Sequence, residues 1–230
     1  MVERSVFITG GTGYLGSRLI PRLLARGQAV RALVRPGSEG KLPAGCEPVA
    51  GDALDGASFA AAVRPGDTFV QLVGTPKPSP AKATQFRAVD LVSVRESVAV
   101  AARAGVAHFV YVSVAQPAPA MKAYVAVRAE GEAMIRAAGL DATVLRPWYV
   151  LGPGHRWPYL LVPVYTLLER LPPTREGARR LGLVTLEQML GTLAEAVDHP
   201  ATGVRVVPVE EIRRGGRPSA AGPLTVSPSP

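Results

Sequence analysis

The stretch SVFITGGTGYLGSRLIPRLLARG (5–27) decides the fold. It opens with SVFIT (5–9), a short β-rich run, and closes with apolar residues at helical spacing that end on a glycine. Between these two parts, Gly10, Gly13 and Gly16 form the pattern G-x-x-G-x-x-G. A strand, a glycine loop and a helix in this order predict the first half of a βαβ unit.

The glycine loop predicts a site for the pyrophosphate of a dinucleotide. Glycine permits a tight turn, lets the backbone approach the phosphates closely and lets the helix pack against the strand. The N-terminus of the helix adds free N–H groups and a partial positive charge. A structural turn without a ligand is the alternative interpretation. The loop residues expected to contact the cofactor are Gly10, Thr12, Gly13, Tyr14, Leu15 and Gly16.

The rest of the chain repeats the alternation of strands and helices. Further strands are predicted at AVRALVR (29–35), CEPVAGD (46–52), DTFVQLVG (67–74), HFVYVSV (108–114) and DATVLRP (141–147), and long helices at about 83–104 and 121–138. Because this alternation lacks hairpin signals, it indicates an α/β fold with a parallel sheet that helices cover on both faces.

The pattern loosens beyond Pro147, which sets the predicted domain organisation. Residues 1–155 are expected to form a nucleotide-binding domain, and 156–212 an abbreviated substrate-side segment packed on it. The second part contains a helical segment, a short run, the helix LEQMLGTLAEAV (186–197) and a strand-like VRVVPV. The end, 213–230, is rich in Gly, Pro and Ser and is predicted to be a disordered tail.

Charged residues near the end of the second strand bear on which dinucleotide binds. A carboxylate there would bind the ribose of NAD and repel a 2′-phosphate, but this chain has Arg31 and Arg35 instead. Arginine binds phosphate and stacks on adenine, so we predict NADP(H) in preference to NAD(H), although Arg35 could simply be solvated. Asp52, after the third strand, could accept from the adenine amino group or cap the next turn.

Composition excludes several classes of protein. The chain has 230 residues, a net charge of +8 and one cysteine, so it cannot form an internal disulfide, which fits a reducing compartment. The basic excess is scattered, which argues against nucleic-acid binding and for attraction of anionic ligands. The three histidines and the cysteine form no metal-binding spacing. No apolar run is long enough for a membrane span, although 157–173 could lie on a membrane surface or cover a cleft.

The glycine loop, VAGDALD (49–55), AARAGVAHFVYVSV (101–114) and LRPWYVLGPG (145–154) together carry a family resemblance. The chain resembles the atypical short-chain dehydrogenase/reductases, and the NmrA-like, NAD(P)H-binding branch in particular. The resemblance implies a Rossmann-type doubly wound parallel sheet with a short C-terminal substrate-side segment. It covers about 4–155 well and 156–212 loosely. A cytoplasmic location is predicted from the single cysteine.

The resemblance also assigns roles to individual residues. A serine at the end of the fifth strand and a Y-x-x-x-K helix form the catalytic set in such proteins. Ser113 matches the serine and Tyr124 the tyrosine, but Arg128 stands where lysine is expected. The positions that the resemblance places along the cofactor or beside the nicotinamide are Gly74, Thr75, Pro147, Trp148, Tyr149 and Val150.

The substitution of lysine by Arg128 leaves the chemistry open. Arginine supplies a cation beside the tyrosine and can donate to ribose hydroxyls, but it cannot relay a proton because it does not deprotonate in proteins. Tyr124 and Arg128 could also merely line a helix face, and a strand-end serine commonly bonds backbone. On the same helix, Glu130 and Glu132 are interpreted as solvated residues.

Two functions follow from these alternatives. The first is an NADP-dependent oxidoreductase acting on a small carbonyl-like or quinone-like substrate, apolar or aromatic as the aromatic residues of 157–165 suggest. In it Tyr124 is the general acid/base, Ser113 orients the carbonyl and Arg128 tunes the tyrosine. The second is a catalytically silent, nucleotide-bound regulator, redox sensor or assembly factor. The small residues of 83–104 and 121–138 could let two copies pair across a twofold axis.

Overall fold

The computed structural model describes residues 5–153 and 181–215. Its strands are Ser5–Thr9 (β1), Ala29–Val34 (β2), Glu47–Ala50 (β3), Thr68–Gln71 (β4), His108–Val112 (β5), Ala142–Arg146 (β6), Tyr149–Leu151 (β7), Leu183–Thr185 (β8) and Val204–Pro208 (β9). Its α-helices are Gly16–Ala25 (α1), Ala83–Gln85 (α2), Val92–Ala104 (α3), Lys122–Ala137 (α4), Leu186–Asp198 (α5) and Val209–Arg213 (α6). A π-helical stretch, Phe86–Leu91, joins α2 to α3.

Seven parallel strands form the central sheet in the order β3-β2-β1-β4-β5-β6-β9. The strand order reverses between β1 and β4, and ligands of open parallel sheets bind outside the carboxyl ends of the strands at such a point. The predicted α/β fold with a parallel, doubly wound sheet is therefore confirmed. The structure adds a second, two-stranded parallel sheet of β7 and β8, which the sequence did not predict.

Both faces of the sheet are covered because its strands are apolar on both sides. On one face, Val6 and Ile8 pack in a cluster with residues of α1 and α5 such as Leu19 and Leu193. On the other face, Phe7 belongs to a cluster with residues of α3 and α4. Aromatic rings of adjacent strands stack there, with Phe7–Phe69 and Phe69–Phe109 centroids each 5.2 Å apart.

The predicted element boundaries differ from the observed ones at two places that matter. The helix expected over 83–104 is interrupted by the π-helical stretch, a feature that often marks functional sites. Arg213, the first residue of the predicted tail, ends α6, and its Nε donates to the Leu183 carbonyl at 2.9 Å. Among the described residues, no helix is long and apolar enough to cross a bilayer. The apolar segment 157–173 lies outside the described residues.

His108, at the start of β5, makes the stability of the fold depend on pH. Its ring is fully buried, and its Nε2 lies 3.0 Å from the Thr143 hydroxyl. Burial lowers the pKa of His108 from 6.5 to about 4, against a smaller opposing effect of Asp141. The unfolded chain therefore binds a proton between these two values that the folded protein does not, so stability is full above about pH 6.5 and falls as the pH falls.

We expect about 2 kcal/mol of the free energy of unfolding to be lost between pH 6.5 and pH 5 through this residue. Urea unfolding at both pH values measures it, and His108→Gln should flatten the dependence. His199→Gln is the matched control, because the His199 side chain is mostly exposed. Equal pH dependence in the wild type and His108→Gln would contradict the assignment.

Candidate functional site

The glycine loop between β1 and α1 is built to approach a ligand. Gly10 has φ +77°, and a Cβ there would lie 2.8 Å from the Leu72 carbonyl carbon, in the chain that follows β4. A Cβ on Gly16 would lie 2.3 Å from the Gly10 oxygen. Both positions therefore require glycine, whereas Thr12 and Gly13 at the tip are exposed. The N-terminus of α1 has no side-chain cap and no acid in its first turn, so these residues fit an anionic group.

The carboxyl ends of β2 and β3 leave the Arg35 side chain accessible. Arg35 is exposed, and within the described residues its side chain forms no ion pair. The nearest acid along the chain, Glu39, accepts from the backbone N–H of Gly37 at 3.1 Å. Asp52 is exposed and caps the next turn, accepting from Leu54 N–H at 2.9 Å through Oδ1. Arg35 is thus an available cation, and Asp52 has a second carboxylate oxygen with which to accept from a ligand.

Arg31 does not belong to this edge of the sheet, so its predicted part in phosphate binding is wrong. It lies in the middle of β2, is 3% exposed, and donates through Nη2 to both Asp67 oxygens at 2.8 and 2.6 Å. Asp67 immediately precedes β4, which places the pair at the amino edge of the sheet. The guanidinium also donates to the Ala62 carbonyl and the Ser5 hydroxyl. A buried and fully paired arginine cannot leave to bind a phosphate without a large cost.

The loop after β4 contains Gly74 and Thr75 and packs on a buried ion pair. Asp90, in the π-helical stretch, accepts from Thr75 N–H at 3.0 Å and from the Thr75 hydroxyl at 2.6 Å. The other Asp90 oxygen accepts from Arg128 Nη2 at 2.6 Å. A Cβ on Gly74 would lie 2.5 Å from that Nη2, so glycine is needed where the loop passes the guanidinium.

Tyr124 and Arg128 lie on one face of α4, as their spacing predicted. The Tyr124 ring is half-buried and tilted against Phe86, with centroids 5.0 Å apart. The Arg128 guanidinium carbon is 5.0 Å from the centroid of the Tyr124 ring, a cation–π arrangement. Arg128 is 5% exposed and also donates through Nη1 to the Val112 carbonyl at 3.0 Å. Its cation is therefore beside the tyrosine, but both terminal nitrogens are engaged by protein atoms.

The Ser113 hydroxyl is bonded to a protein carboxylate, whereas a catalytic serine would donate to the substrate. The Ser113 side chain is 2% exposed, and its hydroxyl donates to Glu132 Oε1 at 2.7 Å. Glu132 is 1% exposed and also accepts from Gln116, Arg136 and Arg146. The interpretation of Glu132 as a solvated residue is wrong, while Glu130 is exposed as expected.

The charge of Glu132 is stabilised by its donors. Burial alone would raise the pKa of Glu132, but hydrogen bonds from Arg146, Ser113 and Arg136 outweigh burial and lower it. Glu132 is therefore an anion at neutral pH. It ties the end of β5 to α4 and to Arg146 at the end of β6.

The segment after β6 closes the site from the other side. The Pro147 carbonyl accepts from Ala115 N–H at 2.9 Å, and Val150 pairs with Val184 between β7 and β8. A Cβ on Gly152 would lie 2.2 Å from the Tyr14 hydroxyl, so this segment reaches the glycine loop. The glycine loop, the loop after β4 and this segment therefore meet at one edge of the sheet.

Within the part of the chain that the structure describes, other reactive groups do not add to the site. Burial and the neighbouring Glu47 raise the pKa of Cys46 to about 11, so this thiol is neutral at physiological pH. Over residues 5–153 and 181–215, no three His, Cys, Asp or Glu side chains come together to hold a metal ion. His155 lies outside the described residues.

Asp90 and Glu132 are the two residues of this region that sequence reasoning missed. Each carried a local signal. Asp90 is an acid in FRAVDLV (86–92), where the neighbouring residues are mostly apolar. Glu132 follows Tyr124 and Arg128 at four-residue intervals, so all three share one helix face. An acid on the same stripe as a candidate site residue is a better candidate for burial than for solvation.

The sequence is similar to a family profile and to a characterised relative. The profile of a family described as NAD(P)H-binding matches residues 10–157. A ceramide reductase from Caulobacter vibrioides is 29% identical over 216 residues, which cover 92% of this chain. The chain spans 66% of the length of that relative, or just under two thirds.

Solved structures with bound NAD share the fold. A short-chain dehydrogenase/reductase superfamily protein from Agrobacterium tumefaciens superposes with a TM-score of 0.65 at 19% identity, over 88% of this chain and 77% of that one. The Bordetella bronchiseptica enzyme WbmH, in complex with NAD+, gives 0.65 at 23% identity over 92% and 79%. The profile match covers more than half of the residues and includes the glycine loop. This chain therefore belongs to the NAD(P)H-binding family.

Proposed function

We propose that the protein is an NADP(H)-dependent oxidoreductase of the atypical short-chain dehydrogenase/reductase type, in the NmrA-like branch. The observation that carries this proposal is the position of Tyr124 on α4, against an Arg128 guanidinium that itself lies beside Gly74 and pairs with Asp90. The cofactor, when bound, supplies or accepts a hydride. Tyr124 donates or accepts the proton at the substrate oxygen.

The other two residues of the predicted catalytic set take supporting roles in this proposal. Arg128 keeps a fixed positive charge beside Tyr124. Burial disfavours that charge, but Tyr124, Tyr111 and Asp90 outweigh burial and raise the pKa of Arg128 above its ordinary value. Ser113 acts through Glu132, to which its hydroxyl donates, and fixes the end of β5 against α4.

The substrate in this proposal is a small molecule with a carbonyl or quinone group and an apolar or aromatic body. A relative named as a ceramide reductase supports an apolar carbonyl compound. The cofactor residues are Gly10, Thr12, Gly13, Tyr14, Leu15, Gly16, Arg35, Asp52, Gly74, Thr75, Pro147 and Val150. Residues 154–180, which contain the aromatic side chains expected to select the substrate, lie outside the described residues.

A screen for NADPH oxidation tests the proposal. Purified protein is mixed with NADPH and with quinones, aldehydes, flavins or long-chain ketones, and the nicotinamide absorbance is followed. Turnover with at least one of these compounds is expected. Tight binding of NADPH without turnover of any compound would overturn the reductase proposal and favour the second candidate.

The second candidate is a catalytically silent, nucleotide-bound regulator, redox sensor or assembly factor. Its support is that the terminal nitrogens of Arg128 and the hydroxyl of Ser113 are all engaged by protein atoms. Arg128→Lys separates the two candidates, since lysine can release a proton where arginine cannot. A clear gain in turnover indicates a reductase with an attenuated site. Absence of turnover in both proteins favours the regulator.

Arg35→Ala tests the preference for NADP(H). We expect this change to weaken NADPH binding about tenfold and to leave NADH binding within about twofold, because only NADPH carries the 2′-phosphate. Fluorescence titration of both cofactors measures the two affinities. Arg103→Ala, which removes an arginine near the end of α3, is the control. If the wild-type protein binds NADH as tightly as NADPH, the preference is wrong.

We also propose a cytoplasmic location and a homodimer that pairs through α3 and α4. The single cysteine supports a reducing compartment, and the small residues on both helices permit close packing. Light scattering coupled to size-exclusion chromatography tests the dimer, and a monomeric mass at micromolar concentration would contradict it. Nucleic acid is not among the proposed partners.

A further inference from the structure

Asp90 is an acid that the fold buries completely in the π-helical stretch before α3. Its two carboxylate oxygens bind different elements. Oδ1 accepts from Arg128 on α4, and Oδ2 accepts from the backbone and the hydroxyl of Thr75 in the loop after β4. One carboxylate therefore joins the helix that carries Tyr124 to a loop at the cofactor edge of the sheet.

Arg128 depends on this carboxylate for its position. Its guanidinium lies under Gly74, between the Tyr124 ring and the end of β5. Among the described residues, its ion pair is with Asp90. Nη1 donates to the Val112 carbonyl and Nη2 to Asp90, and these bonds hold the side chain in place. A buried cation that loses its carboxylate is strongly disfavoured and moves toward water.

We propose that Asp90 is a positioning residue of the site, which sets Arg128 beside Tyr124 and holds the Gly74–Thr75 loop in its cofactor-binding arrangement. The part of this proposal that concerns Arg128 and Tyr124 rests on the proposed reductase function. The part that concerns the Gly74–Thr75 loop rests only on membership of the NAD(P)H-binding family. Cofactor affinity and turnover both depend on a single carboxylate that itself has no access to solvent.

Asp90→Asn is expected to affect both properties. The amide cannot neutralise Arg128, and one of its two polar atoms becomes a donor where the carboxylate accepted. We expect NADPH affinity to fall about tenfold, because Thr75 loses charge-assisted bonds. We expect kcat at saturating cofactor to fall about 100-fold, because Arg128 and Tyr124 are no longer held in register.

Asp67→Asn is the matched control. Asp67 is also a buried acid paired with a buried arginine, Arg31, but at the opposite edge of the same sheet. The Asp67→Asn variant should lose stability much as Asp90→Asn does, while its cofactor affinity and kcat stay within about twofold of the wild type. Equal loss of affinity in the two variants would mean that Asp90 is merely structural, and would overturn the proposal.

A double variant distinguishes positioning through Arg128 from an independent effect. If Asp90 acts on turnover through Arg128, Asp90→Asn should change kcat by less than about twofold in an Arg128→Gln background. If the two substitutions lower kcat additively, the proposal that Asp90 affects turnover through Arg128 is overturned. The neutral Asn–Gln pair also removes the uncompensated cation, so this variant folds if the single one does not.

Thr75→Val gives a further measurement that needs no turnover. It removes the hydroxyl bond to Asp90 and should weaken NADPH binding in the wild type but not in an Asp90→Asn background. If no substrate is ever turned over, the proposed reductase function fails, yet the NADPH affinities of these variants still test whether Asp90 positions the Gly74–Thr75 loop. Unchanged NADPH affinity in both Asp90→Asn and Thr75→Val would overturn the proposed role of Asp90.

Discussion

Glu132→Gln is expected to lower the free energy of unfolding by about 3 kcal/mol. In the folded protein the carboxylate accepts two bonds from Arg146 at 2.6 and 2.9 Å, one from Arg136 and one from the buried Ser113 hydroxyl. Glutamine keeps one acceptor but turns an N–H pair toward an arginine. Arg136 and Arg146 are partly exposed, so water compensates them in part and keeps the loss at the low end for a buried charge.

Urea unfolding followed by circular dichroism measures this loss. Glu130→Gln is the matched control, because it removes the same charge from an exposed position on the same helix and should cost less than about 0.5 kcal/mol. The folded protein lowers the pKa of Glu132, so its contribution is complete above about 4.5, the ordinary value, and is lost as the pH falls further. The difference between wild type and Glu132→Gln should therefore narrow in acid. Equal stability of the two proteins at pH 7 would rule out this role for Glu132.

The sequence predicts the fold well because the features that determine it are local. The glycine loop, β1 and α1 occupy the first 25 residues, and their pattern does not depend on distant parts of the chain. Apolar runs that alternate with helical periodicity are enough to indicate a parallel sheet. The sequence did not predict β7 and β8, because each strand has only three residues and the two strands are far apart in the chain.

The candidate site is less predictable because its partners come from distant parts of the chain. Arg31 and Arg35 look alike along the sequence, yet Arg31 finds Asp67 and becomes buried while Arg35 is exposed. Ser113 has the strand-end position that the family resemblance required, but the direction of its hydroxyl is set by Glu132, 19 residues later. The partner of each side chain depends on which charged groups the fold brings together, and local hydrophobic periodicity contains no information about these contacts.

Arg128 shows how a substitution changes its meaning when its partners are known. From the sequence it is an arginine in the place of a lysine, and its ability to relay protons is the natural question. In the structure it is half of an ion pair with Asp90, under Gly74 and against Tyr124. Its charge is permanent, and its place is fixed by protein atoms rather than by a ligand. We therefore expect Arg128 to contribute through its fixed position beside Tyr124 and through the electrostatic field of its positive charge.

Tyr124→Phe is expected to reduce kcat roughly 100- to 10,000-fold, the range that general acid/base catalysis contributes. The ring would keep its packing against Phe86 and its contact with the Arg128 guanidinium, since both involve the aromatic face. Only the hydroxyl is lost, so NADPH affinity and the free energy of unfolding should stay close to those of the wild type. Steady-state assays with the best substrate from the NADPH screen, together with a cofactor titration, measure both quantities.

Tyr111→Phe is the control that isolates the position of the hydroxyl. Tyr111 is fully buried on β5, and its ring centroid lies 5.7 Å from the same guanidinium carbon. Its hydroxyl is enclosed near Gly131, interacts with Arg128 and has no access to a substrate, so removing it should lower kcat far less than Tyr124→Phe does. A loss of turnover in Tyr124→Phe alone, with NADPH affinity unchanged, identifies Tyr124 as the acid. Equal turnover in all three proteins would mean that the proton comes from elsewhere, and that the face shared by Tyr124 and Arg128 serves only to pack α4 against the cofactor edge.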